Sequence, residues 1–186
     1  MTKKQTLETK TDTKKSSLVD DKVKVPLVIL GIHSNVGADA NFTDGHAWLS
    51  VSTDGVVKLY GLWPDDHPMI QAMGLSDPNK SDIRIGMELG QTSKASRYYK
   101  LTINQTAILE KKLKENVSWH YTNTCASWAS ETASVVTGKF IDANDTLGFE
   151  TPRNLTDSIK KLEEIRPTTQ TNPQGAAENV HKSSIQ

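Results

Sequence analysis

The sequence predicts an α+β domain in which an antiparallel sheet packs against a helix carrying the chain's one cysteine, Cys125. Three observations lead there. Residues 46–52 and 56–62 are short runs suited to strands, with Asp54-Gly55 between them, a strong signal for a two-residue hairpin turn. From Cys125 onward, Trp128, Ala129, Thr132, Ala133 and Val136 recur at helical spacing as one mostly apolar stripe. A last amphipathic segment, 154–165, places Leu155, Ile159 and Leu162 on one side.

Taken in order, residues 1–22 carry almost no large apolar side chains and predict a disordered tail. Residues 25–33 are a continuous apolar run rich in β-branched side chains, hence a buried strand, and 34–44 a Gly/Asn/Asp-rich loop. With Asp54-Gly55 as the turn, Thr53 pairs with Val56 and His46 falls opposite Trp63. Strand alternation then gives His46 and Trp48 a common face with Gly61, Trp63 and Asp65. Residues 63–68 read as a turn and 68–73 as a short helix, while 83–89 and 97–102 read as strands. Thr102 and Gln105 have capping-box spacing ahead of a helix reaching about residue 116. Residues 119–121 are extended and lead into the cysteine helix. Asn123 is the expected N-cap of that helix and Gly138 its C-terminal cap. From 167 to 186 the chain again has little to bury, so the folded domain is expected over 23–166.

Composition narrows the function. Lysine plus arginine equals aspartate plus glutamate, at 22 each, which argues against a nucleic-acid binder relying on bulk positive charge. A single cysteine excludes an intramolecular disulfide and a cysteine-rich zinc site. The histidines and carboxylates lack metal-ligand spacing such as His-Glu-x-x-His, and no cofactor is implied. The N-terminal residues have no apolar signal-peptide core, and no stretch approaches a membrane span, so no membrane anchor is expected.

The chemistry centres on Cys125. A thiol at a helix N-terminus sits in a positive local field that favours thiolate, which makes it a candidate nucleophile; the alternative is a small buried core residue. A thiolate needs a proton-transfer partner, and histidine is the usual one. Of five histidines, His181 falls in the expected tail, His67 between turn residues in solvent, and His33 at an exposed strand end. His120 either lines the site or caps a neighbouring element. His46 opens a strand next to a hairpin partner able to supply an orienting group, and is the candidate base.

Gly45-His46-Ala-Trp48, the hairpin, a Thr-x-x-Gln-capped helix, and Asn123-Thr-Cys125 with Trp128 and a Thr137-Gly138 ending together resemble the circularly permuted NlpC/P60 (papain-like) cysteine hydrolases. In these the histidine strands precede the cysteine helix. With Tyr60-Gly-Leu-Trp-Pro-Asp65, the chain resembles the amidase effectors of type VI secretion systems, which cleave peptidoglycan peptides of rival bacteria. The resemblance covers about 45–140. It implies Cys125 as nucleophile, His46 as base, and the backbone N–H of Cys125 as oxyanion donor. It also implies a peptidoglycan peptide substrate, a cognate immunity protein, and delivery to a target periplasm without a signal peptide. The family's third polar residue on the next strand has no histidine, asparagine or glutamine counterpart between Val56 and Trp63. Asp65 is the choice on register, against an ordinary turn aspartate. Trp48, Trp63 and Trp119 are expected at the cleft walls, with Trp63, Trp48 and Asn123 as substrate-binding residues. Two other readings stand beside the amidase: a thiol acyltransferase or lipase of the same fold, and a non-catalytic binding protein with a structural cysteine.

Overall fold

The computed structural model of the protein describes residues 25–36, 45–144 and 149–175. The expected tail over 1–22 and His181 lie outside the described residues. The architecture is α+β, a six-stranded sheet with four helices. The strands are β1 (Val28–Ser34), β2 (Ala47–Thr53), β3 (Val56–Leu62), β4 (Ile83–Ile85), β5 (Ala95–Lys100) and β6 (Gln174–Gly175). The helices are α1 (Pro68–Ala72), α2 (Ile103–Lys112), α3 (Cys125–Thr137) and α4 (Pro152–Ile165). Strand order across the sheet is β4-β3-β2-β1-β5-β6. All pairs are antiparallel except β5–β6, so the sheet is mixed rather than purely antiparallel.

The hairpin forms as its sequence predicts. Asp54 and Gly55 both take positive φ (49° and 90°), the requirement of the tight turn whose twist matches the flanking strands. Thr53 pairs with Val56 and Trp48 with Gly61, the expected register. Alternation then divides the sheet. Leu30, Ile32 and Leu49 face the helices and are fully buried, each stabilising by about 1.5–3 kcal/mol. His33, Trp48 and Ser50 face the other way. α3 approaches the sheet closely because its buried stripe is mostly small, with Ala126, Ala129 and Ala133 beside Trp128 and Val136. Leu155 and Ile159 of α4 complete the same core.

Helix ends follow local chemistry. Thr102 and Gln105 form the expected capping box on α2. Gly138 ends α3 in the left-handed region (φ 66°) with its N–H on Ser134 O. The N-cap of α3, however, is Thr124 and not Asn123. Thr124 and Ser127 form a reciprocal capping box, while Asn123 pairs through its backbone with His120. Cys125 is therefore the first helical residue.

Two expected boundaries move. The strand over 83–89 stops at Ile85, because Gly86 (φ 82°) turns the chain and Gly90 (φ 87°) turns it again. The folded part does not end at 166. Thr168 accepts from the Tyr98 amide (3.0 Å), and β6 pairs with β5. Among the described residues, no helix is long and apolar enough to cross a membrane.

Candidate active site

Four element ends converge at one end of the sheet: the end of β1, the start of β2, and the N-termini of α3 and α4. Asn35, just past β1, accepts the His46 amide on its side-chain oxygen (2.7 Å) and donates its own amide to His46 O (3.1 Å). This clamp fixes the residue at the mouth of β2. Ser34 Oγ donates to Pro152 O (2.7 Å), and Thr124 Oγ1 donates to Glu150 O (3.0 Å), tying the start of α4 to β1 and to the cap of the cysteine helix.

Within this junction His46 hydrogen-bonds both Cys125 and Glu88. Its Nε2 donates to Glu88 Oε1 at 2.9 Å. Burial pulls the His46 pKa down, but hydrogen bonds and charge from Cys125 and Glu88 outweigh it and raise the value to about 9. For Cys125, burial pushes the thiol up, whereas the His46 hydrogen bond and charge, with the amides of Ala47 and Ala126, bring it below its ordinary value. Each partner thus favours the charged form of the other, the thiolate of Cys125 and the imidazolium of His46. The Cys125 amide, at the first helical position, has no acceptor within the helix and faces the end of the dipole where negative charge is stabilised.

Glu88 is the residue that the sequence reading missed. It is 1% exposed, and its Oε1 accepts from Trp63 Nε1 at 2.6 Å as well as from His46. Space for it comes from Gly61, where an added Cβ would lie 1.9 Å from Glu88 Oε1. Asp65, the expected orienting residue, is occupied elsewhere: it accepts from Arg84 Nη2 (2.6 Å) and from the Asp77 amide (3.0 Å). Arg84 also reaches Asp82 (3.3 Å), so Asp65 belongs to a structural ion-pair network. The signal in the sequence was Gly86 and Gly90 bracketing Glu88, which mark a turn inside an otherwise strand-like run.

The aromatic residues divide between roles. Trp63 packs on His46 (4.1 Å between ring centroids) and lines the cleft. Trp119 lines it too, and Asp82 links these walls by accepting the Trp119 amide on its carboxylate (2.7 Å) and the Trp63 amide on its backbone carbonyl (2.9 Å). Trp48 does not reach the cleft. It is buried between His46 (6.0 Å, stacked) and His33 (5.4 Å, stacked). Asn123 also stays out of the cleft, with its Nδ2 on Ser118 O (3.1 Å).

The remaining histidines are settled by their partners. His33 is buried rather than exposed, with its ring nitrogens 2.8 Å from Ser96 Oγ and Ser50 Oγ, and burial lowers its pKa to about 4. His67 caps α1 by accepting the Met69 amide, and packs edge-on against Trp63 at the cleft wall. His120 is exposed and bonded to Thr122.

The cleft encloses about 540 Å³, with Cys125 and His46 at its base and Leu62, Trp63, Trp119, Tyr121 and Phe149 among its walls. Tyr121 is 83% exposed at the rim. Among the described residues, no group of three or more histidine, cysteine or carboxylate side chains stands together as a metal site. A cysteine whose thiolate is favoured by the histidine beside it, opening on a cleft, can attack a carbonyl, and that histidine can protonate the departing group. Comparison with protein-family models, with curated proteins and with solved structures finds no match.

Proposed function

We propose that the protein is a cysteine amidase that cleaves a peptide amide of peptidoglycan, on a circularly permuted papain-like (NlpC/P60-type) fold. The observation that carries this reading is the His46–Cys125 pair at the N-terminus of α3, backed by buried Glu88 and open to the cleft. The order of the chain, with the histidine strand ahead of the cysteine helix, supports the permuted form. The sequence resemblance narrows the substrate to stem or crosslink peptides, and extends the proposal to an antibacterial type VI effector with a cognate immunity protein.

In this reading the Cys125 thiolate attacks the amide carbon, and the carbonyl oxygen gains negative charge facing the Cys125 amide. The C–N bond breaks as the His46 imidazolium gives its proton to the leaving nitrogen, leaving an acyl-thioester. Neutral His46 then takes a proton from water as the water attacks the thioester, and the thiolate is restored. Glu88 holds the imidazole plane throughout.

A second reading, thiol acyltransfer or lipid-ester hydrolysis, is favoured by the largely apolar walls of the cleft. The deciding experiment is digestion of purified peptidoglycan by wild type, Cys125→Ala and His46→Ala, with products read by mass spectrometry. Wild type is expected to release a defined amide-cleavage product that both variants lose. A wild type that leaves sacculi and soluble muropeptides intact overturns the amidase, and lipid esters become the next substrate. Inertness of Cys125 to iodoacetamide at neutral pH would favour a binding protein with a structural cysteine.

A further inference from the structure

Trp63 and Trp119 both line the cleft, but their backbones are held by different means, and both holds end on Asp82. Trp63 directly follows β3, and its amide is accepted by the Asp82 carbonyl at 2.9 Å. Trp119 lies in residues 116–119, which belong to no helix or strand, so no sheet ladder fixes it. Its amide is accepted instead by the Asp82 carboxylate, Oδ2, at 2.7 Å. Two further bonds fasten the same segment: the Asp82 amide donates to Val117 O (2.7 Å), and Ser81 Oγ accepts the Val117 amide (3.1 Å). Asp82 itself has little freedom. It is 7% exposed, and its Oδ1 accepts from Arg84 Nη2 (3.3 Å), which Asp65 anchors from the other side (2.6 Å).

A hydrogen bond to a charged acceptor is stronger than a neutral one, and in a site shielded from water it is costly to leave unmade. The bond to Trp63 comes from the backbone of Asp82 and survives any change of its side chain. The bond to Trp119 comes from the side chain and does not. One carboxylate therefore sets one aromatic wall relative to the other. We propose that Asp82 is a positioning residue for substrate recognition: by fixing Trp119 relative to Trp63, it keeps the cleft a preformed slot for an uncharged, apolar group beside the scissile amide. Leu62, Pro64 and Phe149 extend the apolar lining around these two rings. A slot that is already shaped spends less of its binding energy on ordering its own walls. The substrate group rests on the amidase reading, whereas the slot itself is measured on Cys125 without any turnover.

The test alkylates Cys125 in the full-length protein with iodoacetamide and with N-benzyl iodoacetamide. The ratio of the two rate constants, divided by the same ratio for glutathione, is the reading, and the thiolate fraction cancels from it. Wild type should favour the benzyl reagent by roughly threefold or more, because its ring gains burial in the slot. Asp82→Ala should bring the ratio to within about twofold of one. Arg84→Lys, which leaves the Asp82 oxygen to Trp119, should keep most of the preference. On soluble muropeptides, Asp82→Ala should raise KM by roughly tenfold with a smaller fall in kcat. In wild type the Trp119 amide should resist hydrogen exchange as an amide of the sheet does, although it lies outside any strand. A wild-type ratio of one, a ratio unchanged in Asp82→Ala, or an equal loss in Arg84→Lys overturns the proposal. Fast exchange of the Trp119 amide overturns it on wild type alone, whether or not Asp82→Ala folds. The expected ratios with muropeptides left intact would support the positioning role and overturn the amidase. Inertness of Cys125 to both reagents overturns both.

Discussion

His33 and His46 are both buried near one end of the sheet, yet their protonation is driven in opposite directions by what faces them. His33 meets two serine hydroxyls, which satisfy a neutral ring but supply no negative charge, so burial prevails and the pKa falls to about 4. His46 meets Glu88 and Cys125, whose hydrogen bonds and charge overcome burial and raise it to about 9. The consequences for stability have opposite sign. Stability from His46 is fully present below its unfolded value of 6.5 and is lost as pH rises through about 9. Stability from neutral, buried His33 is present above 6.5 and is lost as pH falls toward 4, a change of about 3 kcal/mol. Replacing His33 with glutamine, which can still donate and accept between Ser50 and Ser96, should flatten the fall in unfolding free energy over that acid window. Urea unfolding at a series of pH values checks this. Parallel curves for wild type and His33→Gln would mean that some other group controls the acid side.

At the scale of elements, the short turn after β4 does what a third catalytic strand was expected to do. Glu88 can reach His46 only because β3 carries Gly61 directly opposite Trp48, and a methyl group there would collide with Glu88 Oε1. Gly61→Ala and Glu88→Gln should therefore share a phenotype. Both weaken the negative charge behind His46, so in the proposed amidase the alkaline limb of the kcat/KM profile, expected near 9 for wild type, should move to lower pH. Both should also lower kcat by roughly tenfold to a hundredfold, through a less well oriented imidazole. A limb that moves in Glu88→Gln but stays in place in Gly61→Ala would break the link between the glycine and the carboxylate. Glu88 also shows where the sequence stops being legible. The hairpin, the α2 capping box and the stripe of α3 were readable because their signals lie within a few residues of one another. The Glu88–His46 contact spans 42 residues, and the run from Ile83 to Leu89 fits a strand pattern until Gly86 reverses it. The shift of the α3 cap from Asn123 to Thr124 has a similar cause, because the backbone of Asn123 is already paired with His120.

For the whole molecule, the sheet separates chemistry from closure. His46 and Cys125 lie where β2 begins, whereas the far edge is closed by the segment from Pro167 to Gly175, whose polar composition reads as a tail. Polar groups are what hold it. Arg97, 3% exposed on β5, is satisfied by Glu163 (2.7 Å), by Arg166 O (3.0 Å), by Tyr99 Oη (2.9 Å) and by Gln174. Thr168 supplies its amide (2.6 Å) and hydroxyl (2.7 Å) to Glu163 while accepting from Tyr98. A buried guanidinium that loses a partner costs more than an exposed one, since water cannot replace what is removed. The double variant Thr168→Val, Gln174→Ala should accordingly lower unfolding free energy by roughly 2–5 kcal/mol. The cleft should hardly respond, because the latch binds the C-terminal end of α4 and the cleft its N-terminal end, about 20 Å away along a 14-residue helix. Iodoacetamide labelling of Cys125 in the folded variant, under conditions where unfolding is negligible, should stay within about twofold of wild type. Normal stability would show that the C-terminal segment contributes little to closing the sheet. A large change in labelling with the fold intact would show instead that α4 couples the two ends, so that the latch sets the geometry of the Cys125–His46 pair.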